Sequence, residues 1–242
     1  MKISFSIEKW FALSCGLSNQ EEWITWAKSP NHDWNLPLPK LKKLPILQAR
    51  RMSIPSRLAV EVGLELTENA NIDFAIFISR HGELERTYKI LTTLNQNQDI
   101  SPTDFALSVH NTASGLLSII AKQTFPISSI SANQDGFHQG LIEAQSLINQ
   151  GYQRILIIDF DGAIPEIYQQ QINSDIPAYA FGFIMTAGNS CEVEAIFNTS
   201  SAIENDKTDY PQSLAFLHGY LNKSPSFCLQ GNRLNWLWTT NL

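Results

Sequence analysis

Two carboxylates separated by one residue follow a continuous apolar run in Ile155–Gly162, ILIIDFDG. At the end of a buried strand, Asp159 and Asp161 could act as nucleophile and acid–base, with Mg²⁺ between them. The plainer reading is a strand end bearing two solvated acids. A second chemistry would pair Ser131 with His110 or His138 as a hydrolytic, thioesterase-like dyad, although no Gly-x-Ser-x-Gly elbow surrounds the serine. The same histidines could ligate a metal, but no other Cys or His stands at ligand spacing, which favours a structural or interface role. Cys15, Cys191 and Cys228 are single and far apart. They form no metal motif and leave an odd thiol, as expected of a reducing, cytoplasmic compartment.

The Asp-x-Asp-Gly stretch resembles the first motif of haloacid-dehalogenase-type phosphatases. It departs from that motif in three ways. Ala163 stands where a hydroxyl residue belongs, most of the chain precedes it, and no Asp-Asp pair follows. Leu13-Ser14-Cys15-Gly16 resembles a lipoprotein cleavage site, but Glu8 and Lys9 interrupt the apolar segment such a signal needs. Lys40, Lys42, Lys43, Arg50, Arg51 and Arg57 form a basic cluster that reads either as a solvated face or as a docking patch for an acidic partner.

The elements that must position these groups centre on Ile127–Gly162. Ile127–Ser131 is short and β-branched, and Asn133-Gln134-Asp135-Gly136 is turn chemistry. Phe137, Leu141, Ile142, Ala144, Leu147 and Ile148 fall at helical spacing, with Gly151 as the stop. Ile155–Ile158 is then a strand buried on both faces. Such a strand–helix–strand unit gives parallel strands with a right-handed crossover. Its first turn is where several folds place a nucleophile at a helix N-terminus, yet here the turn offers no cysteine.

The remaining spacing predicts a strand passing into a short helix over Lys2–Leu13, and helices over Glu21–Ala27, Leu58–Leu66, Gly82–Leu94, Val109–Lys122 and Pro211–Leu221. It predicts strands over Ile72–Ser79 and Leu234–Thr239, and a hairpin of Ala178–Ala187 with Cys191–Asn198 around Gly188-Asn189. Pro30–Pro45 and Ser200–Asp209 read as loops. Alternating strands and helices favour an α/β layered domain with a mixed sheet, mostly parallel and five-stranded. The 242 residues fit one domain, 1–242, with 43% apolar and 17% charged residues. A net charge of −6 argues against nucleic-acid binding. No apolar run is long enough to span a bilayer.

Four stretches together resemble the short β-ketoacyl synthase-like proteins of the aryl polyene type, which are similar to polyketide chain-length factors. They are Ser79-Arg80-His81-Gly82-Glu83-Leu84-Glu85-Arg86, Ser101-Pro102 through Phe105-Ala106-Leu107-Ser108-Val109-His110-Asn111, Ala113-Ser114-Gly115, and Ser131-Ala132-Asn133-Gln134-Asp135-Gly136. The resemblance covers roughly residues 1–187. It implies a thiolase-like fold with a shortened C-terminal half and with Asn133 at the position of the nucleophilic Cys. Without a thiolate and the His and Lys of a complete second half, the chain is expected not to condense acyl groups itself.

The resemblance further implies a heterodimer with an active β-ketoacyl synthase, formed by pairing Ile127–Ser131 across a two-fold axis. Val109, His110, Asn111, Thr112, Ser131, Asn133 and Gln134 would line the interface and the partner's acyl tunnel, Val109 limiting chain length. Acyl carrier protein would dock on Lys42, Lys43, Arg50 and Arg51. The only prosthetic group expected is the phosphopantetheine arm of that carrier. A homodimeric scaffold and an independent hydrolase remain the alternatives.

Overall fold

A computed structural model describes residues 1–29, 31–170, 172, 178–197, 210–232 and 234–241. In chain order the elements are β1 (Lys2–Ser14), α1 (Gln20–Lys28), α2 (Ile46–Ala49), α3 (Ile54–Thr67), β2 (Phe74–Ile78), α4 (Leu84–Asn95), α5 (Pro102–Ala106) and α6 (Thr112–Ala121). There follow β3 (Ile127–Ile130), a 3₁₀ turn at Asn133–Asp135, α7 (Gly136–Asn149), β4 (Ile155–Asp161), α8 (Glu166–Gln169), β5 (Tyr179–Ala187), β6 (Cys191–Phe197), α9 (Gln212–Leu221), β7 (Ser226–Gln230) and β8 (Leu234–Thr240).

One mixed sheet has the order β3-β2-β4-β5-β1-β6-β8-β7. This corrects the five-stranded, mostly parallel expectation: the sheet has eight strands among the described residues. Only β2 with β3 and β2 with β4 pair in parallel, and the other neighbours are antiparallel. The central unit is therefore parallel as expected, but β2 sits between β3 and β4. The expected hairpin of β5 and β6 does not form, because β1 lies between them. Phe5 stands opposite Ala187 on one side and Cys191 on the other. β1 is continuous for 13 residues, with a register shift between Ile7 and Lys9 and no helix. The predicted polar loop Ser200–Asp209 lies outside the described residues, as does the end of the predicted strand at Asn198.

Helices cover both faces of the sheet. On one face α1, α7 and α9 bury Trp23, Phe137, Leu141 and Phe216 against Ile155, Ile157, Phe181 and Trp238. On the other, α3 and α6 bury Leu58, Val62 and Leu117 against Leu156, Ile158 and Phe160. β4 thus alternates its side chains between two cores, which is why its sequence is apolar without alternation. Local caps set the helix starts. Ser53 accepts from Ser56 N at the head of α3, and Ser101 accepts from Asp104 N at the head of α5. α7 lies tight on β2 because Gly140 has no side chain: a Cβ there would fall 2.3 Å from Ile78 Cδ1.

Candidate functional site

The turn between β3 and α7 carries a left-handed residue ahead of the helix. Asn133 holds a left-handed φ of 52° and is exposed, as are Ser131 and Gln134. Asn tolerates this conformation better than most side chains because it can bond locally. The carboxamide at the tip is neither a nucleophile nor a base at neutral pH.

The elbow is anchored by contacts that sequence spacing did not reveal. Asp135 accepts hydrogen bonds from Gln212 Nε2 at 3.1 Å, Asn232 N at 3.0 Å and Trp236 Nε1 at 3.0 Å. One carboxylate thereby ties the turn to the start of α9 and to the β7–β8 hairpin. His138, one turn into α7, is fully buried and bonds Gln212 and Trp238. No local signal could have found this network, since its members lie 74–101 residues apart.

The expected dyads and metal pair do not assemble. Ser131 Oγ donates to Arg80 O at 3.2 Å, and His110 Nε2 donates to Ser79 O at 2.9 Å. Neither histidine hydrogen-bonds Ser131, and His138 faces a different partner set from His110. Among the described residues no group of three or more His, Cys, Asp or Glu is placed to hold a metal ion.

Asp159 and Asp161 are not solvated acids; their residues are 6% and 3% exposed. Asp159 accepts from the hydroxyls of Tyr179 and Ser213. Burial pushes its pKa up to about 7 against those two hydrogen bonds, with the neighbouring Asp161 charge adding to the rise. Asp161 accepts from Ser79 Oγ at 2.7 Å, Arg80 N at 2.9 Å and His81 N at 3.0 Å. Burial raises its pKa too, opposed by those donors, while burial lowers that of His81. Carboxylates closed off in this way cannot reach a phosphoryl group, so the phosphatase reading fails on access.

Asp161 instead organises the loop after β2. Gly82 N donates to Ser79 Oγ at 2.7 Å. Gly82 takes a φ of 55°, and a Cβ there would sit 2.9 Å from His110 Cδ2. Below this loop, Glu83 accepts from the Ser53 and Ser56 hydroxyls and from Arg86 Nε, and Arg86 also reaches Asp104 at 2.6 Å.

The expected helix Val109–Lys122 starts later, at Thr112. Val109–Asn111 form a turn, closed by Thr112 Oγ1 donating to Leu107 O at 3.1 Å. Val109 and Asn111 are exposed, His110 is half-buried and Thr112 is buried. Val109 is 50% and Ile119 70% exposed, and nothing lies within 4 Å of a Cβ added at Gly115. α6 touches β3 through Ser114 Oγ and Ser129 Oγ at 3.2 Å, and β3 is one of the two edges of the sheet, β7 being the other. Pro126 O and Ile130 O bond to β2, so by alternation the peptide groups of Ile127 and Ser129 face outward.

The basic cluster is divided. Lys43 Nζ pairs with Glu68 at 2.5 Å and Glu65 at 3.3 Å, so its charge is consumed within the chain. Backbone N–H groups of Lys42, Lys43 and Leu44 donate to buried Glu61. Lys42, Arg50 and Arg51 are exposed and make no ion pair among the described residues. Arg51 borders a groove of about 450 Å³ lined by Met52, Ala106, Leu107, Leu116 and Ile119.

Residues 23–239 match the family described as β-ketoacyl synthase, N-terminal domain. The chain is 40% identical, with a TM-score of 0.90, to a chain of the complex of a ketosynthase, ApeO, with its chain length factor, ApeC, from Xenorhabdus doucetiae. That match covers 98% of this chain and 99% of the other. The ishigamide ketosynthase/chain length factor shares the fold at 14% identity and a TM-score of 0.66, over 83% of this chain and 68% of the other. A β-ketoacyl synthase from Burkholderia phymatum STM815 does so at 12% identity and a TM-score of 0.59, over 92% and 71%. No curated protein sequence matches significantly.

Proposed function

Because the chain belongs to the β-ketoacyl synthase N-terminal-domain family, we propose that it is a catalytically silent ketosynthase-like subunit, a chain-length factor that pairs with an active β-ketoacyl synthase. The observation that carries this reading is the elbow. It places a left-handed residue ahead of α7, and that residue is Asn133, not a cysteine. Decarboxylative condensation needs a thiolate to hold the growing acyl chain as a thioester and donors to stabilise the enolate. Asn133, Gln134 and Ser131 supply no thiolate, so the condensing chemistry belongs to the partner.

The free β3 edge supports the pairing. Its outward N–H and C=O groups can extend a partner strand, and sheet edges left open in this way are templates for association. Val109 and Ile119 are exposed, and the open space at Gly115 would admit close approach of a partner. In the pair, Val109 would meet the end of the partner's acyl tunnel, with His110, Asn111 and Thr112 shaping its wall. Lys42, Arg50 and Arg51 would attract the acidic surface of an acyl carrier protein, whose phosphopantetheine arm brings the chain. This work would take place in the cytoplasm, on polyene or fatty-acid-like chains. No helix among the described residues is long and apolar enough to cross a membrane.

Co-expression with Cys-containing ketosynthases, affinity capture and mass determination test the pairing; a one-to-one complex is expected. Within that complex Val109→Trp should shorten the products. Capture of no ketosynthase would sink the pairing, and unchanged product lengths in an intact complex would remove Val109 from the tunnel.

A further inference from the structure

We infer that Asp161 is a positioning residue for chain-length control, holding the turn that presents Val109 from the opposite end of a buried hydrogen-bonded relay. The inference rests on the reading that Val109 limits the growing chain.

The relay runs from Asp161 through the loop after β2 to His110 and Ser131. The Asp161 carboxylate takes three donors from one loop: Ser79 Oγ at 2.7 Å, Arg80 N at 2.9 Å and His81 N at 3.0 Å. Ser79, itself fully buried, accepts from Gly82 N at 2.7 Å through the same hydroxyl, so the loop closes on itself around the carboxylate. The outward carbonyls of this loop then hold two segments. Ser79 O accepts from His110 Nε2 at 2.9 Å, and Arg80 O accepts from Ser131 Oγ at 3.2 Å. Gly82 completes the fit, because only a residue without Cβ leaves room for the His110 ring. Thr112 locks the far side of the turn through its bonds to Leu107 O at 3.1 Å and Val109 O at 3.1 Å. Half-exposed Val109 is held through its own carbonyl by Thr112 N and through its neighbour His110, so its position follows theirs.

A buried carboxylate bonded to two backbone N–H groups and a hydroxyl is a strong and directional anchor. Replacing it by an amide turns one oxygen into a donor that faces an N–H. The loop must then shift, and His110 and Val109 shift with it. Asp159 is the built-in control. It lies two residues away on the same strand, equally buried, but bonds Tyr179 and Ser213 rather than the loop.

The test compares complexes of a captured ketosynthase with wild-type chain, Val109→Trp, Asp161→Asn, His110→Phe and Asp159→Asn. The product-length distribution is read together with the ¹⁵N signal of His110 Nε2. For Asp161→Asn and His110→Phe, the ratio of the main product to longer ones should fall by about three- to tenfold, within the span of coupling through a contiguous contact network. Asp161→Asn should also free the His110 Nε2 proton to exchange, and Asp159→Asn should change neither readout. Unchanged lengths in Asp161→Asn, with Val109→Trp still shortening products, would overturn the inference and leave the chain-length reading standing. Unchanged lengths in both would bring down the reading and the inference together. Should Asp161→Asn not assemble, Ser79→Ala, which removes the hydroxyl's bonds to Asp161 and Gly82 N, and His110→Phe, which removes the bond to Ser79 O, decide; wild-type lengths in both would overturn the relay.

Discussion

His138 lies flat on Trp236, with ring centroids 4.2 Å apart and planes 7° from parallel. Its Nδ1 faces Gln212 Oε1 at 2.6 Å, and its Nε2 faces Trp238 Nε1 at 3.2 Å. An indole nitrogen only donates, so Nε2 accepts and carries no proton. The ring is neutral with its proton on Nδ1, and protonating Nε2 would set two donors against each other in a dry site. Burial accordingly drives its pKa down from 6.5 to about 3.

Acid sensitivity follows. Between pH 6.5 and about 3 the unfolded chain binds a proton at this position that the native chain refuses. The stabilisation is full above 6.5 and is lost as pH falls, at about 1.4 kcal/mol per pH unit. His138→Phe keeps the stack and removes the titration. Urea midpoints should show the variant gaining on wild type as pH drops through this window; a constant offset would refute the buried neutral ring.

Asp159 should behave in the opposite sense. Its native pKa of about 7 exceeds the ordinary 3.8, so the native chain keeps a proton that the unfolded chain has released. That contribution is full below 3.8 and is lost as pH rises through 7, again at about 1.4 kcal/mol per pH unit. Asp159→Asn should therefore gain on wild type as pH rises from 4 to 7. In the wild type the Asp159 and His138 slopes offset each other over most of this range.

Removing the Asn133 side chain should leave chemistry intact. Asn133→Gly preserves the left-handed turn, and the condensation rate of the pair should stay within about twofold of wild type. A loss of more than about tenfold in an intact complex would give Asn133 a direct part in the reaction.

The β3 edge can be blocked without touching the ladder inside. Ser129→Pro deletes an outward N–H, the position where an edge strand tolerates proline. The expected result is a chain with unchanged circular dichroism that no longer captures the ketosynthase. Undiminished capture would place the interface elsewhere.

Glu61 holds residues 42–44 onto α3 through bonds of 2.6 Å from Lys42 N, 2.9 Å from Lys43 N and 2.7 Å from Leu44 N. Glu61→Gln should destabilise by about 1–3 kcal/mol, since part of the acceptor set becomes a donor. Urea unfolding reads this directly.

Much of the framework was legible locally. Ile155–Ile158 announced a strand buried on both faces, and Phe137, Leu141 and Ala144 announced the buried face of α7. Ser53, ahead of the predicted Leu58–Leu66 helix, caps α3. The elbow was legible from Asn133-Gln134-Asp135-Gly136 and from the cysteine it lacks. Helices α2 and α5, of four and five residues, are too short to leave a periodic signature. The small apolar run around Ala113 hid the boundary at Thr112, where a turn passes into helix.

The amino-acid order by itself determined which segments bury one face or two, where the turns fall, and that the elbow carries Asn133. Side-chain periodicity and turn preferences are properties of near neighbours. Only the tertiary structure decided that β1 separates β5 from β6, that Asp159 and Asp161 are buried, that Asp135 anchors the turn before α7, and that Asp161 holds the loop after β2. Strand order depends on segments that meet across the whole chain, as Phe5 meets both Ala187 and Cys191. The state of a carboxylate depends on what surrounds it, and Ser79 reaches Asp161 from 82 residues away.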